Sequence, residues 1–195
     1  EHFLYYVVPL LEEVLKEMRI KEIHITPQSH VKEAMQDLLA EAKKQHVPIK
    51  EQIAGVTWQK GDALFRYIWP TDTNYEGNND SLVLVMTYGA FKALFTGDLE
   101  EAGEQVLIRQ EGANIANVDV LKAGHHGSKT SSSDAFIEHV KPRLTIFMAG
   151  KDNRYGHPHA EVVDRLKSRN LSYLTTGEEG TIEVRMNKHR MKVSK

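Results

Sequence analysis

At 195 residues, with 41% hydrophobic and 27% charged side chains, the chain is long enough for a layered fold around a sizeable core, and its composition excludes a disordered segment. It has no cysteine, so disulfides, thiolate metal sites and cysteine nucleophiles are excluded, and any metal must be held by carboxylates and the ten histidines. A formal net charge of −2 gives no global attraction to a polyanion, which leaves a local basic patch or bound cations to supply one.

The apolar stretch FLYYVVPLL at 3–11 is too short to cross a bilayer and has neither a basic leader nor a small-residue cleavage site. With no initial Met and bulky apolar residues at once, the sequence reads as a piece of a longer parent. Leu11, Val14, Leu15 and Met18 share one face of a helix over 9–18. KEIHIT is a short strand. The segment 29–46 predicts a helix whose inner stripe is Val31, Ala34, Met35, Leu38, Leu39 and Ala42. VPIKEQI and VTWQKGDALFRYIWP read as strands with a turn at 60–62, and SLVLVMTYG with AFKALFTGD as a hairpin through Gly89. A helix is predicted from Glu100 to Arg109, with Glu101, Glu104 and Gln105 polar and Val106 and Leu107 inward. VDVLKAG is a buried strand, and SSDAFIEHVKP a short helix capped by Ser132 or Ser133. RLTIFMAG is a strand, HAEVVDRLKSRN a helix, and LSYLTTGEEGTIEVRM a terminal hairpin turning near Gly177 to Gly180. The sum, roughly ten strands and four or five helices in one domain over 1–195, predicts an α/β fold of αββα sandwich type. An open, purely parallel sheet is the alternative.

The polar clusters of the second half lie at the carboxyl ends of apolar strands, which fall along one rim in layered α/β folds. ALFTGD ends on Asp98, VDVLKAG runs into His125 and His126, and TIFMAG runs into KDNRYGHPH with His157 and His159. Asp98 reads either as a helix N-cap or as a carboxylate able to bridge two cations; the nearby histidines favour the second. If the strand persisted, His125 and His126 would point to opposite sides, with His125 the preferred ligand and His126 the second choice. Gly127 to Ser133 form a loop into a helix N-terminus that can meet an anion through Ser128 and Lys129, the serines alone reading as a solvated cap. Asn153, Arg154, Tyr155 and His157 are candidate phosphate contacts, with His157 also placed to act as acid or base and Asn153 to fix the loop. Asn78, Asn79 and Asp80 read as an Asx turn, and the Ser81 hydroxyl as support for the metal loop. The basic terminus EVRMNKHRMKVSK is either a phosphate contact or a solvated tail. One requirement follows: Asp98 and the histidine pair must lie within about 10 Å to serve neighbouring ions.

The combination SLVL, LFTGD, Glu104, DVLKAGHHGS, KPRLTIFMAG and NRYGHPH closely resembles the metallo-β-lactamase-like domain of the ComEC family of DNA-uptake channel proteins, the competence proteins. The likeness runs from about residue 10 and is strongest over 78–184. It implies a two-metal αββα hydrolase with zinc or manganese, in which Asp98 bridges the ions and His125 completes one site. It further implies DNA as substrate, degradation of the strand that is not imported, and a transmembrane parent with this domain on the outer side of the cytoplasmic membrane. Joined to the reading of the loops, this makes Asp98, His157 and Lys129 the candidate catalytic residues. The superfamily's HxHxDH-like run near the start has no counterpart in this sequence. Glu1-His2 stands about where it would end, which leaves two readings: His2 is a remaining ligand of a fold lacking its N-terminal part, or the metal site is degenerate. Two other functions fit the residues: hydrolysis of a small or envelope-linked phosphodiester, with Trp58, Trp69 and Tyr75 as a cation cage, and a non-catalytic DNA-binding or assembly module.

Overall fold

The computed structural model describes residues 11, 13–187 and 189–195. Its centre is a seven-stranded mixed sheet in simple sequential order, from β3 (Thr57–Lys60) and β4 (Ala63–Trp69) through β5 (Val83–Tyr88) and β6 (Phe91–Phe95) to β7 (Val120–Lys122), β8 (Leu144–Phe147) and β9 (Ser172–Thr175). The first four strands are antiparallel, β3 to β4 and β5 to β6 joined by tight turns at 61–62 and 89–90 and β4 to β5 by the longer segment 70–82. From β6 onward the pairing is parallel. Parallel neighbours need crossovers, and α2 (Glu101–Ile115), α3 (Asp134–Val140) and α4 (Ala160–Ser168) supply them.

All three helices cover one sheet face. Their Leu107, Ile115, Phe136, Ile137, Val140, Val162 and Leu166 share a buried cluster with Ile68, Val83, Val85, Leu94, Leu121 and Phe147 of the strands. A second layer lies across the other face. Strand β1 (Ile23–Ile25) pairs in parallel with β2 (Ile49–Glu51), and Ile23 and Ile25 pack on α1 (Gln36–Lys44) through Leu38 and Ala42. The alternate residue, His24, points to the large sheet, where Nδ1 lies 2.9 Å from the Tyr67 hydroxyl and the ring meets Trp58 edge-on. The order is therefore helices, sheet, small sheet, helix: the αββα layering, with a second sheet of two described strands.

The purely parallel alternative is excluded by the antiparallel half. Three other expectations change. The stretch before α1 is a pair of 3-10 turns that leaves Val31 77% exposed, so the inner stripe starts at Met35. Helix α2 runs to Ile115, not Arg109, and Glu104 faces the core at 0% exposure. Residues 171–186 do not form one hairpin: β9 joins the large sheet, α5 (Thr176–Glu179) turns the chain, and β10 (Glu183–Met186) pairs with β11 (Met191–Ser194) instead. Among the described residues no helix is long and apolar enough to cross a membrane.

Candidate functional site

The site forms where β6, β7 and β8 end side by side. The acid loop after β6 is fixed first. Gly97 has φ +57°, and a Cβ there would come within 2.9 Å of Ser81 Cβ, so only glycine lets the TGD turn close over Ser81. The Ser81 hydroxyl donates to Asn78 O at 2.7 Å and accepts from the Asp98 N–H at 3.0 Å, which makes it a support of this loop. Residues 77–79 form a 3-10 turn, and Asp80 is buried, accepting from Thr26 Oγ1 and Lys32 Nζ; the segment is a brace between the two layers and no simple Asx turn. The N-cap position of helix α2 is Glu100, two residues past the acid, so Asp98 is not its N-cap.

Both histidines of HHGS leave the strand pattern. β7 ends at Lys122, and His125 (φ 44°) and His126 (φ 57°) occupy left-handed backbone that turns their rings to the same side. Their ring centroids lie 5.6 and 6.4 Å from that of His157. It is His126 that faces the acid: Nε2 stands 3.7 Å from Asp98 Oδ1. Its Nδ1 lies 2.7 Å from Met148 O, an acceptor only, so Nδ1 carries a proton and Nε2 is the ring nitrogen turned toward Asp98. His125 stands by Glu100 instead, with Nδ1 3.9 Å from Oε1, and donates its backbone N–H to Gly97 O. Burial pushes the His125 ring below its ordinary pKa against the pull of Asp98.

Two charged neighbours were not singled out from the sequence. Lys122, the last residue of β7, lies largely buried with Nζ 3.8 Å from Asp98 Oδ1 and donates to Gly97 O at 2.8 Å; burial lowers its pKa. Glu100 accepts from Asn78 Nδ2 and Thr130 Oγ1 beside His125. Lys122 was detectable as a lysine closing an otherwise apolar strand that runs into the histidines, whereas Glu100 had no signal beyond its place after Asp98.

The serine run is no solvated cap. Ser131, Ser132 and Ser133 are buried. Ser131 Oγ donates to Leu99 O at 2.7 Å, and the backbone N–H groups of Ser132 and Ser133 donate to the two oxygens of Glu104 at 2.5 and 2.9 Å. Ser133 Oγ caps α3 by accepting from Phe136 N. Burial raises the Glu104 pKa, while those N–H bonds oppose the rise. Ser128 is buried too, its hydroxyl turned to Thr130, and Lys129 is exposed, its backbone N–H donating to His159 Nδ1. His159 is thus half-buried and tied to the histidine loop, not a plain surface residue.

On the third strand end, Asn153 organises the loop: its amide N donates to Gly150 O and His157 O, and its oxygen accepts from the N–H groups of Tyr155 and His157. With its amide fully engaged there, Asn153 shapes the loop more than it faces solvent. Arg154 lies over the Tyr155 ring at 4.7 Å and donates to its hydroxyl, both exposed. Burial and the neighbouring His159 push the His157 pKa down to about 4, so the ring is neutral at pH 7. His2 lies outside the described residues. The proposed cation cage does not assemble: Trp69 is fully buried against Tyr75, and Trp58 stacks on Phe65 in the first strands of the sheet.

The fit of a divalent ion can be judged on these atoms. An imidazole anchored through Nδ1–H to a carbonyl is how metal-binding histidines are commonly held. Its 3.7 Å distance to a carboxylate oxygen suits two ligands of one ion. Among the described residues, however, no group of three or more such side chains is arranged around one point, and Lys122 Nζ faces the same oxygen of Asp98 as His126 does. The donors fit as a pair and form a partial set.

No family model matches the chain. It is 38% identical over 176 residues to ComE operon protein 3 of Bacillus subtilis, covering 89% of this chain and 22% of that protein. It is 35% identical over 127 residues to competence protein ComA of Neisseria gonorrhoeae, covering 65% of this chain and 18% of that protein. The chain thus spans about a fifth of the length of these curated relatives. Among solved structures, CmlA, a diiron β-hydroxylase from Streptomyces venezuelae, matches at TM-score 0.53 and 12% identity over 82% of this chain and 39% of its own. A putative Zn-dependent hydrolase of the metallo-β-lactamase superfamily from Thermotoga maritima matches at TM-score 0.39 and 16% identity, over 63% of this chain and 61% of its own. As one segment of it, the chain belongs to the ComEC family of competence proteins, with a metallo-β-lactamase-like fold.

Proposed function

We propose that residues 1–195 form one domain of a longer membrane parent and hydrolyse DNA phosphodiester bonds with the help of divalent zinc or manganese, degrading the strand not imported during DNA uptake. The observation that carries this is the convergence of Asp98 Oδ1 and His126 Nε2, 3.7 Å apart, beside the rings of His125 and His157 at one open rim. Asp98, His126 and His125 would hold the ions, with His2 as a further candidate. Bound there, divalent cations supply Lewis-acid polarisation of the phosphoryl group.

The chain's own residues do the rest. Met148 O orients the His126 ring, and Ser81 holds the Asp98 backbone, so the donor atoms need no rearrangement. Lys122 keeps a buried cation beside the carboxylate. His157, neutral at pH 7, can accept a proton at the rim. Lys129, Arg154 and Tyr155 are exposed and take the nonbridging oxygens and flanking phosphates, with Ser128 behind them. The name of one relative, competence protein ComA, supports DNA as the substrate; a position on the outer side of the cytoplasmic membrane is part of the same proposal.

The test is cleavage of labelled single- and double-stranded DNA with zinc or manganese returned after chelation. Metal-dependent cleavage should be lost by at least about 100-fold in Asp98→Ala, with an unchanged far-UV spectrum. Equal cleavage by Asp98→Ala contradicts the assignment. A second reading, a non-catalytic DNA-binding module of the same parent, is favoured by the partial ligand set among the described residues. It predicts DNA binding with no turnover under any of these metals.

A further inference from the structure

The basic terminus is not a tail. β10 and β11 form an antiparallel ribbon in which Arg185 lies directly opposite Lys192. Its two faces differ. Val184, Met186, Met191 and Val193 are partly buried, while Glu183, Arg185 and Lys192 are exposed. At the tip, Asn187 Oδ1 accepts from the backbone of His189 and Arg190, which closes the turn and leaves Arg190 exposed. Residues 183–195 contain five basic residues against one acid, Glu183, in a chain whose formal charge is −2. Glu183 pairs with Arg185 at 2.8 Å in the open, where such a pair is worth little.

Like charges directly opposite on a ribbon repel and are disfavoured unless something neutralises them. A polyanion laid along the exposed face relieves that repulsion, and cation spacing along a ribbon suits successive phosphates. The ribbon is also connected to the site. It grows from α5, whose Thr176 hydroxyl donates to Ala149 O at 3.2 Å, and a Cβ on Gly177 would come within 2.5 Å of Lys151 N. Lys195, which follows Ser194 at the same end of the ribbon as Glu183, ties back to Glu179 of α5 at 2.7 Å. Its root therefore packs on the exit of β8, where the loop bearing Arg154 and His157 begins.

We infer that the β10–β11 ribbon is a second, non-catalytic contact for the DNA backbone, holding the strand through Arg185, Lys192 and Arg190 as it crosses the rim of the site. This rests on the reading of DNA as the substrate. The test is the salt dependence of binding of a labelled oligo-dT to the chain, by fluorescence anisotropy in buffer without added divalent ions. Each cation lost from a single-strand contact flattens the slope of log K against log[salt] by about 0.7, so Arg185→Ala/Lys192→Ala should flatten it by about 1.4. The charge-matched control, Lys43→Ala/Lys44→Ala in the last turn of α1, should leave it unchanged. The charge-keeping swap Arg185→Lys/Lys192→Arg should also hold the wild-type slope. An unchanged slope in the double alanine variant, or equal flattening in the control, overturns the ribbon's role while the wild type still binds and cleaves. A wild type that neither binds nor cleaves DNA overturns the nuclease reading and this inference together.

Discussion

The loops after β7 and β8 leave neighbouring parallel strands, and both bring histidines to the same rim, yet they are built in opposite ways. Residues 124–133 are sewn into the molecule: their backbone and hydroxyls reach Gly97 O, Leu99 O, both oxygens of Glu104 and the Arg165 guanidinium. Residues 151–157 hold mainly to themselves through Asn153, with Arg154 and Tyr155 outside. The lesson is a division of labour. The first loop is a frame that fixes His125 and His126 against Asp98, and the second is an adaptable edge where a bulky anion can be met.

If so, the two loops should respond very differently to the loss of their organising side chain. The largest effect falls on the frame. Glu104→Ala leaves a cavity and two buried N–H groups without acceptors, and should cost about 3–5 kcal/mol of unfolding free energy in urea titration. Glu104→Gln, which keeps one acceptor, should cost roughly half as much. A loss below about 1 kcal/mol in the alanine variant would show that the frame does not depend on this carboxylate. On the edge, Asn153→Ala should cost only about 1 kcal/mol. It should speed hydrogen exchange at the Tyr155 and His157 amides while the amides of Ser132 and Ser133 stay protected. Protection unchanged at all four would erase the distinction.

The last effect is electrostatic and is felt only in acid. Burial, aided by His159, holds His157 down to about 4, whereas an unfolded chain takes up that proton near 6.5. The depressed value means that folded-state stability is fully present above about pH 6.5 and declines as pH falls toward 4. In the metal-free protein the His157 ring should titrate in NMR near 4. A midpoint near 6.5 would make this ring an ordinary surface imidazole, and His157→Asn should remove its share of the acid destabilisation.

Much of this was legible in the chain. Asp98, the histidine pair and HPH each follow an apolar strand, and consecutive parallel strands carry their carboxyl ends to one edge, so local pattern sufficed to group them. What local pattern lacked was long-range pairing. Glu104 sits on a helix in a position that polarity alone turns outward, and only the arrival of the Ser132 and Ser133 N–H groups from 28 and 29 residues away makes its burial affordable. The HHGS histidines defeated strand alternation because the strand had already ended at Lys122. LSYLT reads equally well as a hairpin arm or as a parallel edge strand; β8 decides it. Lys122 was hidden for a similar reason, since the acid it faces lies on a neighbouring strand's loop.

Asp98 and His126 as a prepared pair of donors are the centre of this account, and metal binding tests them most directly. Titration calorimetry with zinc and with manganese should give binding to the wild type that weakens at least about tenfold in Asp98→Ala and in His126→Ala, with melting temperatures unchanged. His139→Ala, whose ring contacts Gly112 O beneath α2, should bind as the wild type does. Equal affinity in all four proteins, or none in the wild type, would contradict it.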